Sequence, residues 1–159
     1  METQTCILST PIGAIEITGT EAGIRAISFL DDPAPASETI PPELADCVRQ
    51  LEEYFAGTRT EFTLELDPEG TPFERRVWAH LLDIPYGQTR TYMQIAEALG
   101  DPKAIRAVGR ANGRNPLAIV VPCHRVIGSN GDLVGYGGGL WRKEWLLAHE
   151  GRPVQQALF

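Results

Sequence analysis

Cys123 and His124 stand side by side in the run Pro122-Cys123-His124-Arg125-Val126, directly after the apolar Ile119-Val120-Val121. A thiolate is the reactive form of cysteine, and an imidazole within reach can take the thiol proton and stabilise the charge. Adjacent side chains diverge along an extended segment, so this pair predicts proton transfer through one bridging water. A carboxylate that orients the imidazole would complete the arrangement. The competing reading is structural, because a free cysteine beside an apolar run packs like a small hydrophobe. The neighbouring histidine favours chemistry.

A second pattern lies upstream. Lys103, Arg106, Arg110 and Arg114 recur at steps of three, four and four, which on a helix puts four cations along one face. The alternative is a solvated basic face, but the charge distribution supports phosphate contact. Residues 1–70 hold three basic side chains against fourteen acidic ones, a net −11, whereas residues 71–159 hold eleven against seven, a net +4. The overall charge of −7 therefore hides a basic second half that suits a polyanion.

Two domains are expected to position these groups, 1–70 and 71–159, divided at the Asp67-Pro68-Glu69-Gly70-Thr71-Pro72 stretch. In the first, residues 5–9, 13–18 and 23–30 read as strands of an antiparallel meander separated by Pro11, Gly19 and Gly23. Leu44, Val48, Leu51 and Phe55 then mark an amphipathic helix that Gly57 ends, and the alternating Phe62, Leu64 and Leu66 predict a further strand. In the second, Phe73, Val77, His80 and Leu81 fit one helix. Tyr92, Ile95, Ala96 and Leu99 fit another, capped by Thr91 and stopped at Gly100. Asp101-Pro102 connects it to a third helix over 103–112, giving a helix-turn-helix. Ile119-Val120-Val121 reads as a buried strand.

Composition narrows the class. The chain has 159 residues, 43% hydrophobic and 22% charged, enough to bury a core without disulfides. Three widely spaced cysteines, Cys6, Cys47 and Cys123, are expected to be reduced thiols. No apolar run approaches the roughly 18 residues of a membrane span. The N-terminal residues lack a basic segment of the secretory kind, so a cytoplasmic protein without membrane association is expected. Cys6 and Cys47 have no close Cys or His partner and His80 is distant in sequence, so no metal is expected.

Taken in order, Gly113-Arg114-Asn115-Pro116, Pro122-Cys123-His124-Arg125-Val126-Ile127-Gly128, Gly135-Tyr136-Gly137-Gly138-Gly139-Leu140 and Trp145-Leu146-Leu147-Ala148-His149-Glu150 resemble the O6-alkylguanine-DNA alkyltransferases. The resemblance runs without a gap from about Thr71 to Gly151, and the first half is similar only in size and strand-helix character. It implies an α/β (α+β) protein: a small ribonuclease H-like N-terminal domain and a mostly helical, winged-helix-like C-terminal domain.

The implied activity is repair of double-stranded DNA by direct reversal of damage, in a monomer that needs no cofactor. The alkyl group of O6-alkylguanine, and also of O4-alkylthymine, passes irreversibly to the protein's own cysteine, one transfer per molecule. By resemblance Cys123 is the acceptor, His124 the water-bridged base and Glu150 the orienting carboxylate. Asn115 braces the active-site turn, and Tyr92 donates to N3 of the departing guanine. Arg106 enters the duplex where the base leaves, while Ala107 lets the helix approach the backbone beside Lys103, Arg110 and Arg114. Val126, Tyr136, Gly137 and Gly138 form the alkyl pocket. Many relatives have serine where Gly137 stands, a departure that removes a hydroxyl contact and widens the pocket. Three other classes compete with this reading. Alkyltransferase-like recognition proteins lack the cysteine present here at 123, a helix-turn-helix regulator would leave the catalytic pattern unexplained, and nothing in the sequence suits a hydrolytic thiol enzyme to release a product.

Overall fold

The computed structural model describes residues 2–151, which form two compact units. The first comprises residues 2–69 together with Pro116–Ala118. Its strands β1 (Gln4–Thr10), β2 (Gly13–Thr20) and β3 (Gly23–Phe29) make the expected antiparallel meander in sequence order, although Gly19 lies within β2 at a register shift and Gly23 begins β3. The register pairs Cys6 with Ile17 and Ile17 with Ile27, stacking buried side chains across one face. Helix α1 (Pro42–Ala56) covers that face with Leu44, Leu51 and Tyr54, all fully buried. Gly57 ends it at φ 83°, a left-handed conformation that costs glycine little.

The strand expected around Phe62, Leu64 and Leu66 does not form. Only Leu66 bridges to the sheet, parallel to Ile24. The Gln50 side chain occupies the place of a neighbouring strand: its Oε1 accepts from the Thr63 amide at 2.9 Å and its Nε2 donates to the Thr63 carbonyl at 3.3 Å. Alternation alone cannot reveal a side chain that satisfies the backbone instead.

The second unit is helical. Helix α2 (Pro72–Leu82) and helix α3 (Tyr92–Ala98) each begin with a capping box, Thr71 with Glu74 and Thr91 with Gln94. Both pack on α4 (Ile105–Gly113), and the Trp78 indole of α2 donates to the Ala111 carbonyl at 2.8 Å. The third helix thus starts two residues later than expected. Pro102–Ala104 form a 3-10 turn, in which the Asp101 carboxylate accepts from the Lys103 amide at 3.1 Å. A two-residue strand β4 (Arg90–Thr91) runs parallel to β5 (Val126–Ile127), and α5 (Leu140–His149) closes the unit.

Ile119-Val120-Val121 is a buried turn rather than the expected strand. Ile119 adopts φ 73°, which is strained for a β-branched residue. The Asn115 amide donates to the Val121 carbonyl at 2.8 Å, supplying from a side chain what a strand would obtain from a ladder. Among the described residues no helix is long and apolar enough to cross a membrane.

Candidate active site

Cys123 opens a 3-10 turn, Cys123–Arg125, immediately before β5. Its backbone is fixed on both sides: the amide donates to the Val121 carbonyl at 2.8 Å, and its carbonyl accepts from Asn112 Nδ2 at 3.3 Å. Burial raises the pKa of the thiol, opposed by hydrogen bonding from Asn115 and Tyr136 and by the positive charge of Lys143. A thiolate formed here has compensating groups in place before any substrate arrives.

His124 and Glu150 are buried and joined, with Nε2 and Oε2 2.7 Å apart. Burial lowers the pKa of the imidazole, the Glu150 interaction opposing this, and the ring is neutral. Burial alone would raise the Glu150 carboxyl. Hydrogen bonds from His124 and Arg125 and the charge of Arg125 outweigh it and hold the group below the usual carboxylate range. An ionised Glu150 accepts from Nε2–H, which leaves the imidazole lone pair on Nδ1. Among the described residues, nothing hydrogen-bonds this buried Nδ1.

Sequence reasoning missed Arg125. Its Nε donates to Glu150 Oε1 at 2.7 Å, Nη2 to Oε2 at 3.0 Å and Nη1 to the Ile84 carbonyl at 2.7 Å. This bidentate pair offsets the unfavourable field that the C-terminus of α5 exerts on a carboxylate at its cap. The signal was present in the sequence, since Arg125 directly follows the Cys-His pair. Lys143 was also missed. It lies three and four residues before the buried Leu146 and Leu147, so a cation on the apolar stripe of α5 was readable from spacing. Burial depresses its pKa to about 8, opposed by the charge of the facing Cys123 thiolate.

The other proposed pocket residues divide. Tyr92, the first residue of α3, donates its hydroxyl to the Val134 carbonyl at 3.2 Å, and burial followed by the facing Cys123 raises its pKa. Burial likewise raises Tyr136, and the charge of the neighbouring Cys123 adds to the shift. Val126 is fully buried in β5. A Cβ built at Gly137 meets nothing within 4 Å, so the glycine there leaves open space, and Gly138 is half-buried. Lys103, Arg106, Arg110 and Arg114 are all exposed, with Ala107 half-buried among them. Lys103 sits in the 3-10 turn rather than on α4, and the Arg114 guanidinium comes within 3.5 Å of Glu74. These cations form a separate feature from the thiol network.

A thiol with preplaced stabilisation and a buried His–Glu pair, carried on a helical unit that presents a row of exposed cations, define a cysteine-dependent transferase of the nucleic-acid-binding class. Residues 72–152 match the family described as 6-O-methylguanine DNA methyltransferase, DNA binding domain. Residues 6–68 match its companion, 6-O-methylguanine DNA methyltransferase, ribonuclease-like domain. The chain belongs to the 6-O-methylguanine DNA methyltransferase family.

A methylated-DNA–protein-cysteine methyltransferase of Mycolicibacterium paratuberculosis is 51% identical over 158 residues, covering 96% of both chains. One of Methanosarcina acetivorans is 51% identical over 150 residues, covering 91% of this chain and 96% of the relative. The crystal structure of Mycobacterium tuberculosis O6-methylguanine methyltransferase shares 46% identity at a TM-score of 0.84 and covers 99% of both chains. The structure of Mycobacterium tuberculosis OGT in complex with DNA has the same identity and TM-score, covering 100% of this chain and 99% of its own. The mixed fold expected from the sequence, with a strand-rich first unit and a helical second one, is the fold of these relatives.

Proposed function

We propose that this protein repairs double-stranded DNA by moving the alkyl group of O6-alkylguanine, and of O4-alkylthymine, onto Cys123, once per molecule. The Cys123 Sγ attacks the alkyl carbon in a single displacement; the S–C bond forms as the C–O6 bond breaks. The thiol proton passes through water to His124 Nδ1, leaving imidazolium beside ionised Glu150. Tyr92 donates a hydrogen bond to N3, which stabilises the guanine anion as it leaves, and that anion takes its proton from water as the imidazolium gives one back. The thioether product resists hydrolysis, which makes the transfer stoichiometric and irreversible.

The remaining roles follow the same reading. Asn115 holds the turn that presents the thiol, and Val126, Tyr136, Gly137 and Gly138 enclose the alkyl group. Arg106 fills the gap left by the extruded base, with Ala107 close to the backbone and Lys103, Arg110 and Arg114 on phosphates. Residues 71–159 suffice for binding and chemistry, and every reacting group comes from one chain, so the protein acts as a monomer. Its thiol needs a reducing compartment, which fits the cytoplasm.

The observation that carries this reading is the buried His124–Glu150 pair at 2.7 Å directly following Cys123, whose thiolate is favoured by Asn115 and the charge of Lys143. Peptide mass spectrometry after incubation with excess duplex DNA containing one O6-methylguanine tests it. One methyl group on the Cys123 peptide, and none on Cys123→Ser, is the expected result. An unmodified protein that still binds the lesion would instead make it a recognition module.

A further inference from the structure

The sequence Gly139-Leu140-Trp141-Arg142 begins α5 with an aromatic residue that the chemistry above does not use. Trp141 is 55% exposed, and two other large apolar side chains of the same region, Leu140 and Val134, are exposed at 47% and 43%. A tryptophan left in water beside a reactive loop usually marks a contact surface. This one is also held in place. The Arg142 guanidinium lies 4.6 Å from the indole centroid, within cation–π range. Arg142 is itself buried and fixed, donating from Nη1 to the Gly138 carbonyl at 3.0 Å. The pyrrole edge of the indole also lies near Gly139. A Cβ there, at φ 92°, would stand 3.3 Å from Trp141 Cδ1 and 3.4 Å from Nε1.

The segment that holds the indole is the one that borders the thiol. The Gly139 amide donates to the Tyr136 carbonyl at 2.9 Å, and the Tyr136 hydroxyl is coupled by charge to Cys123. The charge of Arg142 acts on that same hydroxyl. Electrostatic coupling therefore runs from the thiol through the Tyr136 hydroxyl to Arg142, whose guanidinium lies over Trp141. Gly137, lying between Tyr136 and the Gly138 carbonyl that anchors Arg142, leaves open space where a side chain would project.

We infer that Trp141 is a specificity-determining residue: its preset indole flanks the mouth of the Cys123 pocket and favours O6 substituents that carry an aromatic ring over methyl. The inference rests on the proposed transfer to Cys123. An aromatic substituent gains ring stacking against the indole, whereas a methyl group is too small to use it, and Arg142 fixes the indole so that little rotamer freedom is lost on contact.

The test compares single-turnover transfer from O6-benzylguanine and O6-methylguanine in the same duplex, and from free O6-benzylguanine, for wild type, Trp141→Ala and Trp141→Phe. The exposed position lets each variant fold, which thermal unfolding verifies. Trp141→Ala is expected to lower the benzyl-to-methyl rate ratio by about 5-fold or more, the range of one aromatic contact, and to slow the free benzylated base as well. Trp141→Phe should retain most of the ratio. An unchanged ratio overturns the inference while leaving transfer to Cys123 standing. Equal slowing of both duplex lesions with no effect on the free base makes Trp141 a DNA contact and also overturns it. If wild type transfers neither group to Cys123, the underlying reading fails first, in a measurement that involves no variant.

Discussion

Tyr92 and Lys143 meet at one atom: the Val134 carbonyl accepts from the Tyr92 hydroxyl at 3.2 Å and from the Lys143 ammonium at 3.0 Å. Lys143 reaches the Gly135 carbonyl as well, at 3.3 Å. A segment with no regular secondary structure is thus tied to the first residue of α3 and to the interior of α5. Both groups also face Cys123. The ammonium positions the loop and supplies positive charge to the thiol site from a place that solvent does not reach.

That burial gives a pH signature. The folded pKa of Lys143, about 8, lies below the ordinary value near 10.4. Between these limits the unfolded chain binds the proton more often, so the group's contribution to unfolding free energy rises with pH. Relative to Lys143→Met, wild type should gain up to about 3 kcal/mol between pH 7 and pH 10. Urea unfolding of both proteins at each pH checks this, and a difference that stays flat would place the ammonium in contact with solvent.

Glu150 should matter to stability as much as to transfer. Glu150→Ala leaves the buried Arg125 charge with the Ile84 carbonyl and the face of Tyr86, and removes the partner of His124. Breaking a buried pair from one side costs about 3–5 kcal/mol, which chemical denaturation would register. Because the folded pKa of Glu150 is depressed, its contribution is complete above the unfolded value near 4.3 and falls away as the solution becomes more acidic. The gap between wild type and Glu150→Gln should therefore narrow below about pH 4. A gap that widens there would contradict an ionised Glu150.

Arg106 separates extrusion from chemistry. It is exposed on α4, apart from the thiol network. Arg106→Ala should slow repair in duplex DNA by about tenfold or more, since unstacking a base costs a few kcal/mol, and should leave the reaction with free O6-benzylguanine within about twofold. Rapid-quench kinetics on the two substrates decides it; equal losses would assign Arg106 to the pocket instead.

Much of this site was legible because its chemistry is written locally. Cys123 and His124 are neighbours, Thr91 announces the helix that Tyr92 begins, and the step of four from Arg106 to Arg110 holds on α4, whereas Lys103 and Arg114 fall just outside that helix. The failures share a cause. Ile119-Val120-Val121 and Phe62 to Leu66 have the apolar patterns of strands, but the Asn115 and Gln50 side chains satisfy backbone groups that would otherwise demand a ladder. Side-chain substitution for backbone pairing leaves no period to read. The bidentate grip of Arg125 on Glu150 was hidden differently, since its partners are 25 residues apart in sequence. Nothing in either local segment states that they meet.

The short parallel pair acts as a ruler. Arg90 is in register with Val126 and Thr91 with Ile127, so Tyr92 and the Cys123–Arg125 turn are each indexed to the same two rungs. The chain between residues 92 and 126 can vary in length at its exposed connections without disturbing that index. One residue inserted between Thr91 and Tyr92, or between Arg125 and Val126, shifts the pocket by about 3.3 Å, one strand residue. Length is free where the chain loops and fixed at two peptide bonds, and any transplant of this pocket into another scaffold must carry both rungs with it.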